Sequence, residues 1–231
     1  MIRRAFIGLL LLGLGSLFVA LFSGYVPDSE LNTTGRYYAE RTADDIGAAN
    51  IVTAIIVTYR GLDTLGEVTV LFLTATIVGL VLARGRVERR ALRREALVGE
   101  LLTTGARLLA PLILLLGAYV FVNGHLSPGG GFQGGAIIAS AVLLLLLADP
   151  ARHFSHQLIA RVESVSGLVF VSLGIAGLFL AGGFLDNRIL PIGEFGSLFS
   201  AGAIPIIYSF IGLKVGAEFS SMLVSLSETD Q

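Results

Sequence analysis

Six long apolar runs, separated by polar links, leave this chain few ways to fold. They cover about residues 5–24, 65–83, 108–122, 136–148, 165–181 and 198–215. A run of about 20 apolar residues spans a bilayer as a helix, because a helix satisfies its own backbone hydrogen bonds where lipid cannot. Composition agrees. The chain of 231 residues is 54% hydrophobic and 14% charged, with a mean hydropathy of +0.82. Soluble domains carry roughly 25% charge. The expected fold is all-α, a polytopic transmembrane helical bundle of about six spans. The alternating ten-residue pattern of an outer-membrane barrel is absent. With no cysteine in the chain, disulfides, thiolate metal sites and iron–sulfur clusters are excluded. A net charge of −1 does not point to a nucleic acid, and none is expected as a partner.

Taken in order, Arg3 and Arg4 precede the first span, whose apolar body is too long for a signal peptide and lacks a small-residue cleavage pattern. It is read as a retained helix. Residues 25–48 contain Pro27, Asp28, Glu30, Arg36, Glu40, Arg41, Asp44 and Asp45, and read as an extramembrane loop. Residues 49–60 are apolar but too short to span, so they are expected in the interface or re-entrant. Residues 84–107 form a basic connector with Arg84, Arg86, Arg89, Arg90, Arg93, Arg94 and Arg107. It divides a two-span unit (1–83) from a four-span unit (108–231), as if two ancestral pieces had been fused. The last span should bend at Pro205.

The positive-inside rule orients the bundle. With six spans, Arg3, Arg4, the connector arginines, Arg152, Arg161 and Lys214 fall on one side, against Arg36, Arg41, Arg60 and Arg188 on the other. Both termini are therefore expected in the cytoplasm, with the protein multi-pass in the inner (cytoplasmic) membrane.

Three constellations could carry chemistry. At the start of the second span, Arg60, Asp63, Thr64 and Glu67 recur at helical spacing and should share one face. They could be interfacial charges marking where the helix enters lipid. Glu67, however, is followed at once by Val-Thr-Val-Leu-Phe-Leu, which pushes it below the surface. Intramembrane ionisable groups usually pair or line a polar path, and a carboxylate there could carry a proton or ligate Na⁺, together with Asp63.

The second constellation is Asn123-Gly-His-Leu-Ser-Pro-Gly-Gly-Gly-Phe-Gln-Gly-Gly135. It formally contains G-x-G-x-x-G, but a membrane run precedes it instead of a strand, and no Lys-Ser/Thr follows. Dinucleotide and P-loop readings both fail. Pro128 fixes φ, while Gly129, Gly130 and Gly131 permit positive φ or close backbone approach. His125 could shuttle protons near neutral pH or be a hydrogen-bonded loop residue. Ser127 and His125 are too close in one loop to form a protease dyad. The third constellation is Lys214 with Glu218, spaced i, i+4 within a run containing Gly212-x-x-x-Gly216. Lys214 is either a snorkelling side chain near the cytoplasmic end or part of an ion path. Gly131-x-x-x-Gly135 offers a similar packing face. His153 and His156 lack a third ligand and read as a solvated link.

The glycine loop, its surrounding spans and Leu213-Lys-Val-Gly216 resemble the B-type component of the Mrp (Mnh) multisubunit cation/proton antiporters. Asn50-Ile-Val, Val57, and Arg60-Gly-x-Asp63-Thr-Leu-Gly-Glu67 resemble the carboxy-terminal part of the large A-type Mrp component. That part is similar to a small subunit of membrane-bound hydrogenases. The resemblance implies a non-enzymatic subunit without cofactor, contributing to Na⁺/H⁺ exchange beside components of the A, C, D, E, F and G types in membrane lipid. It carries Glu67 and Asp63 over as candidate cation-path residues, and His125 and Pro128 as sensitive loop positions. The main proton channel would lie on partner chains. Two alternatives go with it: an antiporter-module subunit of a redox-driven complex, or a purely structural linker.

Overall fold

The computed structural model describes residues 2–25, 30–85, 99–150 and 152–228. Pro27, Asp28, and the connector residues Arg86, Arg89, Arg90, Arg93 and Arg94 lie outside them. Among the described residues there are eight α-helices and no strand: α1 (Ile2–Ser23), α2 (Thr33–Ile46), α3 (Ile51–Ala54), α4 (Gly61–Gly85), α5 (Glu100–Val122), α6 (Gly131–Ala148), α7 (His156–Leu180) and α8 (Ile204–Ser227). A π-helical turn at Ile55–Tyr59 joins α3 to α4, and a 3₁₀ turn at Asn187–Ile189 lies between α7 and α8. Six helices among the described residues are long and apolar enough to cross a membrane. The chain is a multi-pass helical membrane protein.

Packing divides the chain after Tyr37 into Met1–Tyr37 and Tyr38–Gln231. The first unit holds α1, an apolar helix of 22 residues. The second is organised around α8, which packs against α4, α5, α6 and α7. Ile204, Ile207, Tyr208, Ile211 and Val215 of α8 are almost wholly buried. Small residues make this possible. A Cβ on Gly135 of α6 would lie 2.7 Å from the Gly212 carbonyl and 2.8 Å from the Gly216 nitrogen of α8. One on Gly134 would lie 2.7 Å from the Gly117 carbonyl of α5. Two glycine faces on α6 thus bring three backbones together, as helix association in lipid favours. The packing role expected of Gly131-x-x-x-Gly135 is what is found.

Several sequence expectations need correction. The loop assigned to residues 25–48 contains α2, whose polar composition hid a helical run from a hydropathy reading. The basic connector ends earlier than residue 107, because α5 begins at Glu100 and includes Arg107. Pro205 does not bend the last helix. It sits in the first turn of α8, where its missing N–H is one that a helix start leaves unpaired anyway. Residues 49–60 do not span, but neither do they lie flat on the surface. Ala54 and Val57 have no exposed surface and belong to the core with Ile204 and Ile207.

The link between α7 and α8 folds over one end of the second unit. Asn187, fully buried, donates from Nδ2 to the carbonyls of Ile46 (2.9 Å) and Ala201 (3.0 Å). Leu185 and Ala201 hold positive φ there. At its edge Arg188 Nε donates to Asp186 Oδ1 at 2.9 Å. Burial alone would raise the Asp186 pKa, but hydrogen bonds from Arg188 outweigh it and hold the carboxyl below its usual range.

Candidate functional site

Two centres stand out, one at the loop end of the second unit and one inside the helices. The loop end is assembled by the start of α3. Asn50 caps that helix, its side-chain oxygen accepting from the Thr53 N–H. Its Nδ2 donates to the carbonyls of Gly124 and Ser127, each at 2.9 Å, and its backbone N–H donates to the His125 carbonyl at 3.0 Å. Thr53 Oγ1 donates to Gly124 O at 2.6 Å and accepts from the Tyr208 hydroxyl at 3.1 Å. The glycine loop is therefore clamped from one side by Asn50 and Thr53 and closed from the other by the Tyr208 ring. A Cβ on Gly124 would lie 2.6 Å from that ring, and one on Gly131 would lie 2.6 Å from Ile211 Cβ. Gly129 and Gly130 hold positive φ, as the triple glycine predicts. Ser127 Oγ bonds the Asn123 carbonyl at 3.3 Å, and Pro128 is exposed.

His125 has no exposed surface. Its Nε2 lies 3.3 Å from the Ser197 carbonyl, and its Nδ1 has no hydrogen-bond partner. Burial pushes its pKa below 6.5, against the smaller raising effect of nearby carbonyls. Its folded-state pKa is thus depressed below the unfolded value. The unfolded chain binds the extra proton first, so the stability linked to neutral His125 is fully present above pH 6.5 and is lost as pH falls through the folded pKa. Acidification from pH 8 should therefore lower the thermal midpoint of the purified protein. His125→Gln should remove this component of the slope. An unchanged pH profile in that variant would show that His125 does not titrate on unfolding.

The predicted face of Arg60, Asp63, Thr64 and Glu67 is split. Arg60 lies at the end of the π turn, outside α4, and pairs with Asp63 at 2.6 Å in an exposed contact. Thr64 turns inward and donates to the Ile56 carbonyl at 2.6 Å. Glu67 is exposed on α4, so it is not buried within this chain as the apolar sequence after it suggested. Its charge is felt at Tyr208.

The second centre is the pair Lys214–Glu218 on α8. Lys214 Nζ donates to Glu218 Oε1 at 2.6 Å, with side-chain exposures of 10% and 0%. The ammonium lies 5.1 Å from the centre of the Phe72 ring of α4, within reach of a cation–π contact. Glu218 Oε2 has no partner. Lys214 is ten residues past Ile204 in a helix of 24, roughly 15 Å from its start at 1.5 Å per residue. That depth and burial rule out the snorkelling reading. Lys214 and Glu218 form one site; Arg60 and Asp63 pair at the start of α4, and Glu67 stands one turn further along that helix.

His156 Nε2 meets Glu228 Oε1 at 2.7 Å at the opposite end from the glycine loop. No cluster of three or more His, Cys, Asp or Glu that could hold a metal exists among the described residues. Sequence reasoning missed Tyr208 and the reach of Thr53. A tyrosine inside an apolar run was the available signal, since a buried phenol normally finds a partner.

Residues 101–221 match the family described as a domain related to the MnhB subunit of Na⁺/H⁺ antiporter. Residues 3–96 match the MbhE family, described as the E component of MBH. An uncharacterized protein of Methanocaldococcus jannaschii is 30% identical over 77% of each chain. A probable K⁺/H⁺ antiporter A/B subunit of Rhizobium meliloti is 28% identical over 75% of this chain, which spans only 20% of that relative. Among solved structures, a chain of the membrane-bound sulfane sulfur reductase, an archaeal respiratory membrane complex, is 40% identical over 98% of both chains, with a TM-score of 0.81. A chain of the Mrp complex from Dietzia sp. DQ12-45-1b gives 27% identity and a TM-score of 0.79, over 99% of this chain and 26% of that one. The helical fold and these matches define a membrane protein of the antiporter-subunit class. The chain belongs to the family of domains related to the MnhB antiporter subunit.

Proposed function

We propose that this chain is a membrane subunit of an Mrp-type multisubunit cation/proton antiporter, and that it contributes part of the ion path. The observation that carries this reading is Glu67. It is a carboxylate exposed on a membrane-crossing helix, within electrostatic reach of Tyr208 in the clamp. A charge facing hydrocarbon costs several kcal/mol, so this surface suits a polar passage shared with a neighbouring protein of the complex. Partners are the other Mrp-type subunits, with the large ones resembling the A and D types supplying the antiporter bodies. Both termini are placed in the cytoplasm on the arginine distribution. Within such a complex the chain moves ions and performs no chemical conversion of its own.

Glu67→Gln should assemble normally and abolish Na⁺- or K⁺-dependent proton exchange in everted vesicles. Assembly is read from co-purification of the partner subunits, exchange from a pH-sensitive dye. Normal exchange with normal assembly would remove Glu67 from the path. A second reading has its own support: the match to the archaeal respiratory complex spans nearly the full length of both chains. Under it, cation movement in vesicles depends on a reductant and acceptor. Exchange driven by an imposed ion gradient alone marks a stand-alone antiporter.

A further inference from the structure

Lys214 and Glu218 are not alone in the helix interior. Both face α7: a Cβ on Gly167 would lie 3.6 Å from Lys214 Cε, and Glu163 of α7 acts electrostatically on Glu218. From Glu218 toward the end of α8, Ser221, Ser225 and Glu228 follow at intervals of three, four and three. This places them along one stripe of the helix. On α7, His156 and Glu163 are seven apart and also share a face. The two stripes meet at the surface, where His156 pairs with Glu228 at 2.7 Å, with side-chain exposures of 48% and 28%. Glu163 and Ser221 are half-buried and Ser225 is buried. The inner end of the seam is a carboxylate with no exposed surface, whose Oε2 lacks a partner.

We propose that this α7–α8 seam is a hydrated proton path, leading from the membrane surface at His156 and Glu228 past Glu163 to the Lys214–Glu218 pair. A buried, unpartnered carboxylate oxygen favours water where the site is polar. Gly167, Ser221 and Ser225 put small residues along this helix pair, and Lys214 lies against Gly167. A proton entering from bulk water protonates Glu218 at Oε2 and leaves Lys214 as the remaining charge. Departure of that proton restores the ion pair. Few other charges compete. Of the helices packed on α8, α6 has no ionisable residue across 131–148. In α5 the charged residues are Glu100 and Arg107, both exposed in its first turns. In α4, Asp63 and Glu67 lie at the far end and Arg84 is the last residue but one, and in α7 Arg161 is exposed.

The inference rests on the proposed transport role for its purpose, but its existence can be tested without transport. Since the chain has no cysteine, single variants His156→Cys, Glu163→Cys, Ser221→Cys and Ser225→Cys can be placed in the assembled complex in membrane vesicles. They are treated with a small charged methanethiosulfonate, and modification of this chain is read by intact mass. The reagent needs a thiolate, which forms only in contact with water. The expected result is labelling at all four positions and none at Leu168→Cys, on the exposed apolar face of α7. Labelling at His156→Cys alone overturns the path. Glu218→Gln then tests its end point: the assembled variant should lose most proton-linked exchange and the pH profile of the remainder should shift. A wild-type rate and profile place the path's end elsewhere and overturn this assignment. Should the wild-type complex show no exchange while the seam labels, the antiporter reading fails and the hydrated seam stands.

Discussion

Lys214→Met is expected to destabilise the protein by about 3–5 kcal/mol, the usual consequence of removing one partner from a buried ion pair. The lysine holds Glu218 with a 2.6 Å hydrogen bond at a position with no exposed surface. Without it, the buried carboxylate keeps its charge unpaired or takes up a proton, and either state gives up the pairing that the fold supplies. Methionine fills nearly the same volume, so lost packing contributes little. The double variant Lys214→Met, Glu218→Met removes both desolvation costs and should recover most of the loss. Thermal unfolding of the purified protein in detergent checks both. A single variant as stable as wild type would mean that the pair contributes no more than a surface bridge.

Thr53→Val should produce the second large effect, at about 1–3 kcal/mol for each buried group left unsatisfied. The substitution keeps the shape but removes the donor to Gly124 O and the acceptor of the Tyr208 hydroxyl. Asn50 still donates to Gly124 O, so that carbonyl is not orphaned, whereas the Tyr208 hydroxyl is. Faster amide hydrogen exchange should appear at residues 50–59 and 123–130 together. These segments belong to the two different family matches and are held by the same bonds. Faster exchange in one segment alone would show that the clamp does not couple them.

The apolar runs by themselves determined the class of structure. Lipid offers the backbone no hydrogen bonds, so runs of that length have to be helices, and the six long helices follow with shifts only at their ends. The glycine patterns were equally legible: Gly131-x-x-x-Gly135 and Gly212-x-x-x-Gly216 announce close helix contact, and they contact each other. The helical segment α2 was not legible, because its residues are polar and hydropathy was the signal in use.

The sites divide differently. Residue types marked Glu67, His125, Lys214 and Glu218 as unusual, since ionisable groups in or near apolar runs are costly wherever they lie. Which were buried could not be read along the chain, because burial depends on what the other helices bring. The apolar residues after Glu67 suggested depth, but α4 turns that carboxylate outward and turns Thr64 in. Lys214 could have snorkelled to either surface, but α7 gives it Gly167 to lie against and α4 sets Phe72 beside it. Helical period fixes only which residues share a face. The tertiary structure alone decides whether that face meets lipid, a partner or another helix, because that choice is made by contacts between residues far apart in sequence.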